Sequence, residues 1–113
     1  LFDCSNVACS SGTARTLDGG GVSNVGLHTS IAIRDNGLPV ISYWDFTNSD
    51  LKLFDCSNVA CSSGTARTLD SAGNVGRYTS IAIRDNGLPV ISYYDITNGD
   101  LKLYSCGDER CEN

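Results

Sequence analysis

Six cysteines, a single histidine and two close-set runs of aspartate and asparagine are the residues of this 113-residue chain whose chemistry could build a site. The cysteines repeat one spacing three times, as Cys4/Cys9, Cys56/Cys61 and Cys106/Cys111. Each pair brackets a four-residue turn on an expected hairpin, which places the two Cβ atoms within bridging distance across neighbouring strands. Closing so short a loop stabilises by at most roughly 2 kcal/mol per bridge. The competing reading is a four-sulfur zinc site, but three pairs do not divide evenly among such sites. Local disulfides are therefore expected, and with them a secreted or periplasmic setting. The runs "DFTNSD" and "DITNGD" carry Asp45, Asn48 and Asp50, then Asp95, Asn98 and Asp100. Such oxygens could hold calcium, yet the spacing departs from the calcium-loop pattern, and turns braced by Asx side chains explain it more simply. Neither a metal nor a cofactor is expected. His28 is matched by Tyr78 in a later repeat, and the glutamates, Glu109 and Glu112, fall in the tail. A hydrolase needs two or more converging acids, and no such set stands out, so the chain reads as non-enzymatic.

The net charge of −5 and pI near 4.5 exclude the basic footprint of a nucleic-acid binder. No apolar run approaches the roughly 20 residues of a membrane span, and no signal peptide is visible. The chain contains no Met, which suggests a processed product, a fragment, or a chain whose first residues are not shown.

The elements that must position these residues are repeated. "LFDCSNVACSSGTARTLD" occupies residues 1–18 and recurs letter for letter at 53–70, while residues 29–54 match 79–104 with four differences. Each unit of about 50 residues reads as four short strands. "TSIAI" ends at "RDNG", whose Asn-Gly is a hairpin signal because both residues tolerate positive φ. "LPVISYYD", "DLKLFDC" and "CSSGTARTLD" follow, and no 3.6-residue apolar period persists. The fold class is all-β, built of β-propeller blades in the form of four-stranded antiparallel meanders; a two-sheet sandwich is the alternative.

The stretch "TSIAIRDNGLPVISYYDITNGDLKLYSC" resembles the "SYYD…GDLK" repeats of secreted bacterial β-propellers, distantly similar to sialidase-type repeat propellers. On this reading residues 1–113 form one repeat domain. Residues 1–18 complete a neighbouring blade, 19–70 form a first blade, and 71–113 form a second blade without its last strand. Two blades cannot close on themselves, so identical chains are expected to close a ring head to tail, with a trimer of six blades favoured. "LFDC" at the start and "LYSC" at the end claim the same third-strand position, so either one of them swings aside in such a ring or the chain is a cut from a longer propeller.

The units differ mainly in or beside the loops of one propeller face. Those differences are an 8- against a 6-residue loop at 19–26 and 71–76, Leu27-His28 against Arg77-Tyr78, Trp44 against Tyr94, Phe46 against Ile96, and Ser49 against Gly99. A face bearing Trp, Tyr, His and Arg among Asp and Asn suits sugars, because aromatic faces pack on C–H groups while carboxylates and amides accept hydroxyl protons. The expected ligand-binding residues are His28, Trp44, Asp45, Arg77, Tyr78, Tyr94 and Asp95. The leading function is a non-catalytic, lectin-like glycan-binding module. A structural or protein-interaction segment comes second, and a glycoside hydrolase third.

Overall fold

The computed structural model describes residues 1–19 and 23–112. Nine strands follow one another: β1 (Phe2–Cys4), β2 (Gly12–Ala14), β3 (Val25–Ile33), β4 (Pro39–Asp45), β5 (Asp50–Cys56), β6 (Gly64–Asp70), β7 (Val75–Ile83), β8 (Pro89–Asp95) and β9 (Asp100–Ser105). The described residues contain no helix, hence none long and apolar enough to cross a membrane. The fold is all-β, as its alternating apolar strands and turn residues imply. Strands pair antiparallel with their sequence neighbours, giving separate sheets β1-β2, β3-β4-β5-β6 and β7-β8-β9, and no ring closes within these strands.

Identical letters do not give identical strands. Residues 64–70 run as β6 beside Leu51–Cys56 of β5, paired from Cys56↔Gly64 to Leu51↔Asp70 with one register shift between Leu51 and Lys52. The same seven letters at 12–18 form only the three residues of β2, because their partner β1 is itself three residues long. Ladder length is set by the neighbour here, not by propensity.

The "RDNG" turn also departs from expectation. Asn36 and Asn86 keep negative φ, and only Gly37 (φ 84°) and Gly87 (φ 85°) take the left-handed conformation. The Gly37 amide donates to the Arg34 carbonyl at 2.8 Å and Arg34 to that of Leu38 at 3.1 Å. The hairpin therefore has a longer loop with one left-handed glycine rather than a two-residue Asn-Gly turn.

Two apolar layers hold the sheets together. One lies between the β3–β6 and β7–β9 sheets and contains Val40, Leu51, Leu53, Val75, Ile81 and Ile91. The other joins Ile41, Tyr43 and Phe54 to Leu1 and Leu17 of the amino-terminal hairpin. The β3–β6 sheet is thus covered on both sides, and every residue of β4 is buried. The matching strand β8 alternates buried and more open residues, since its sheet is covered on one side. Burying a Leu such as Leu51 or Leu53 contributes about 1.5–3 kcal/mol.

A charged motif recurs at the rim of each layer. The Tyr43 hydroxyl donates to Asp18 Oδ2 at 2.6 Å, and Lys52 Nζ lies 2.7 Å from the same oxygen. Tyr93, Lys102 and Asp70 repeat this at 2.7 Å and 2.7 Å. Burial alone would raise the two carboxyls, but the lysine and tyrosine bonds outweigh it and hold both below the usual range. Burial and then the adjacent carboxylate push both tyrosines well above the ordinary phenol value.

These shifts fix the pH limits of stability. Depressed carboxyls stabilise fully above their unfolded pKa, about 3.9, and lose that contribution as pH falls through their folded values. The raised tyrosines stabilise fully below about pH 10 and lose their contribution above it. Asp50, raised by burial and then by Asp45, opposes the acid trend. Melting temperature should therefore be flat between these limits and fall on both sides. A Tm that rises steadily below pH 4 would contradict the assignment.

The β4–β5 turn contains a built-in stability experiment. Ser49 sits at φ 63°, where the second unit has Gly99 at φ 73°. A non-glycine residue there costs roughly 1 kcal/mol. Ser49→Gly should raise stability by up to about that amount in urea titration, and an unchanged midpoint would refute the strain.

Candidate ligand-binding site

The site grows from two bulges at matching positions. The pairing of β3 with β4 slips between Leu27 and Ser30, and that of β7 with β8 slips between Arg77 and Ser80. The residues at the slips, His28 and Tyr78, both have φ 54°. Bulky residues rarely adopt this conformation, and a bulge that holds them there re-aims their side chains. Gly76 (φ 108°) makes the approach possible: a Cβ on it would lie 2.7 Å from Leu51 Cα.

The bulges bring residues of both units into one cluster at the seam between the large sheets. The His28 and Tyr78 rings lie 4.3 Å apart, with Trp44 5.8 Å from His28 and Tyr94 6.4 Å from Tyr78. The Arg77 guanidinium stacks over Trp44 at 4.3 Å, and Phe46 packs edge-on against the same indole at 5.4 Å. Below the cluster the sheets are stitched together. Ser42 donates to the Thr79 hydroxyl (2.9 Å), Thr79 donates to the His28 carbonyl (2.7 Å), and the Ile81 amide donates to Ser30 Oγ (3.2 Å).

Exposure sorts the members. Tyr78 is 64% exposed and Tyr94 38%, whereas Trp44 is 3% exposed and forms the floor. Trp44 Nε1 and Arg77 Nε are buried and donate to no protein atom. Among the described residues Arg77 and Arg84 are the arginines and lysines without an ion pair. Buried polar groups are normally satisfied, so two unused donors in one aromatic cluster require an explanation.

Of the seven residues expected to bind ligand, His28, Trp44, Arg77, Tyr78 and Tyr94 come together. Asp45 and Asp95 do not present their carboxylates to the cluster. Both are buried, and their oxygens accept from the Asn48 and Asn98 amides and side chains at 2.9–3.1 Å. They brace their own turns, which is the Asx arrangement; for Asp95 the Asn98 bond holds the carboxyl below its usual range. Phe46 was not among the expected residues. The signal for it was present, since it is one of the positions at which the units differ. The longer first-unit loop includes residues 20–22, which lie outside the described residues.

All six cysteines form disulfides, Cys4–Cys9, Cys56–Cys61 and Cys106–Cys111, which rules out the four-sulfur zinc alternative. Three intrachain bridges fit an extracellular or otherwise oxidising compartment. At that end of the molecule Asp55, 3% exposed at its side chain, meets three arginines. Arg34 Nη2 is 2.7 Å from Oδ1, while Arg110 Nε and Arg67 Nη2 are 2.8 Å and 3.2 Å from Oδ2. Burial would raise Asp55, but Arg110 and Arg34 outweigh it and keep it ionised. This cluster ties the Cys106–Cys111 loop to the β3–β6 sheet.

Comparison with models of known families, with curated proteins and with solved structures finds no match to this chain.

Proposed function

We propose that the chain is a non-catalytic, secreted carbohydrate-binding module built of β-propeller-type blades, which identical copies complete into a ring, three chains giving six blades. The observation that carries the binding reading is the seam cluster, where His28, Trp44, Arg77, Tyr78 and Tyr94 gather with two donors unused. Tyr78 offers an accessible ring face to sugar C–H groups, and the Trp44 and Arg77 N–H groups suit sugar oxygens. Asp45 and Asp95 act at one remove by holding the turns. A structural or protein-interaction segment is the second reading, favoured by the open side of the β7–β9 sheet, which exposes Leu101 and Leu103.

A glycan array tests the binding reading. Wild type should bind at least one glycan class, and Tyr78→Ala should weaken that binding roughly tenfold, as one stacking contact implies. Because Tyr78 is exposed, its removal should leave the circular dichroism unchanged. No glycan bound, or equal binding by Tyr78→Ala, would overturn it. Turnover of chromogenic glycosides would move the assignment to a hydrolase.

A further inference from the structure

The two units bury opposite faces, and what each leaves open is what the other covers. Leu51 and Leu53 are fully buried against the second unit, while their matches Leu101 and Leu103 are 84% and 62% exposed. Conversely Ile81 is 7% exposed against the first unit, while its match Ile31 is 54% exposed. The backbone shows the same complementarity. Gly76 backs onto Leu51, whereas a Cβ on Gly26, its match, would meet nothing within 4 Å. A chain whose second unit leaves one face open, and whose first unit is covered on the opposite face only by the short β1–β2 hairpin, is complementary to itself once that hairpin yields its place.

We propose that the outward face of the β7–β9 sheet docks on β3 of a second copy, seated as β7 is seated on the β3–β6 sheet. This rests on the ring reading above and gives that ring its interface. Ser92 then donates to the Thr29 hydroxyl of the second copy, and that hydroxyl donates to the Tyr78 carbonyl. The Ile31 amide of the second copy donates to Ser80 Oγ, and Leu101 fills the space beside its Gly26. β9 has no strand on its outer edge among the described residues, and there it takes residues 12–18 of the second copy as β5 takes β6. Both β1 and β9 match β5, so β9 displaces β1. The exchange replaces a ladder of three pairs with one of six. The new seam places His28 and Leu27 of the second copy against Tyr78 and Tyr94, so seams bearing Arg77 alternate with seams lacking it.

Cysteine cross-linking tests the register. Thr29→Cys combined with Ser92→Cys should give covalent multimers on non-reducing gels, because the matching Ser42 and Thr79 oxygens lie 2.9 Å apart. Either single variant should give none, since the contact joins unlike surfaces. Multimers from a single variant, or none from the double, would overturn the proposal. So would a wild-type mass of 12.0 kDa by light scattering. Leu101→Asp with Leu103→Asp should reduce the assembly to folded monomer, and a retained multimer would also refute it. That monomer keeps the intrachain His28–Trp44–Arg77 seam, so its binding on a glycan array is read separately. Loss of glycan binding with cross-linking intact would sink the lectin reading and leave the interface standing.

Discussion

Trp44→Ala should destabilise the protein by about 3–5 kcal/mol, the usual cost of emptying a large aromatic site in a core. The indole is 3% exposed and supports His28, Phe46 and Arg77 at once. A domain of this size has only about 5–15 kcal/mol to lose, so the variant should melt far lower or fail to accumulate. Its loss of ligand binding would therefore carry no information about contact. The second unit supplies the better substitution, because Tyr94 occupies the matching position. Trp44→Tyr should cost under about 1.5 kcal/mol, as a swap of similar shape. Trp44→Phe removes the unused Nε1 donor together with part of the buried ring, and should cost clearly less than Trp44→Ala while weakening any ligand that accepts from that donor. Urea titration of the three variants decides the matter. A Trp44→Ala protein as stable as Trp44→Phe would show that the floor of the cluster is not packed.

Asp55→Asn should cost about 3–5 kcal/mol, because it leaves a buried guanidinium without its counter-charge. Arg34 is 4% exposed, and besides Asp55 it donates only to the backbone carbonyls of Leu38, Pro39, Cys56 and Glu109. Carbonyls satisfy its hydrogens but do not balance its charge. The chain provides a control in the same letters. Asp3 matches Asp55 and lies 4.0 Å from Arg15, with side chains 38% and 31% exposed. Asp3→Asn should cost under about 1 kcal/mol, as exposed pairs do. In the second unit Ser105 replaces the aspartate and accepts from Arg84 at 2.6 Å in an exposed setting. Equal losses for Asp55→Asn and Asp3→Asn would show that burial does not amplify the pair.

The strands were legible because alternation and turn residues report on each strand's immediate surroundings. The disulfide pairing was legible for a similar reason, since one spacing on one hairpin fixes the distance between the sulfurs. The cluster could be located by asking where near-identical units differ, because a seam joins one unit's turn to the next unit's bulge. Its internal arrangement could not be read. Left-handed residues are sought among Gly and Asn, and nothing in the letters of His28 or Tyr78 marks them. Trp44 and Tyr94 look alike in sequence, yet one is covered by the second unit and the other faces outward. The orientation of Asp45 and Asp95 depends on which of two acceptor roles, turn or ligand, is satisfied first, and the neighbouring Asn takes them. For Trp44 and Tyr94 the missing information lay in which sheet covers them.

The shared text of residues 1–18 and 53–70 has a consequence for how the chain finds its structure. During refolding the edge of β5's partner sheet meets two segments with the same side chains and the same disulfide loop. Contact energy cannot choose between them; only the tether can. The segment at 53–70 begins within β5, which follows β4 through a four-residue turn, so its loop-closure entropy is smaller and it docks first in most molecules. The remainder begin with the amino-terminal hairpin in the wrong berth and must unpair before they can proceed, a trap characteristic of duplicated sequences. A folding trace from dilute denaturant should then contain a slow, concentration-independent phase that disappears when the two copies are given different letters.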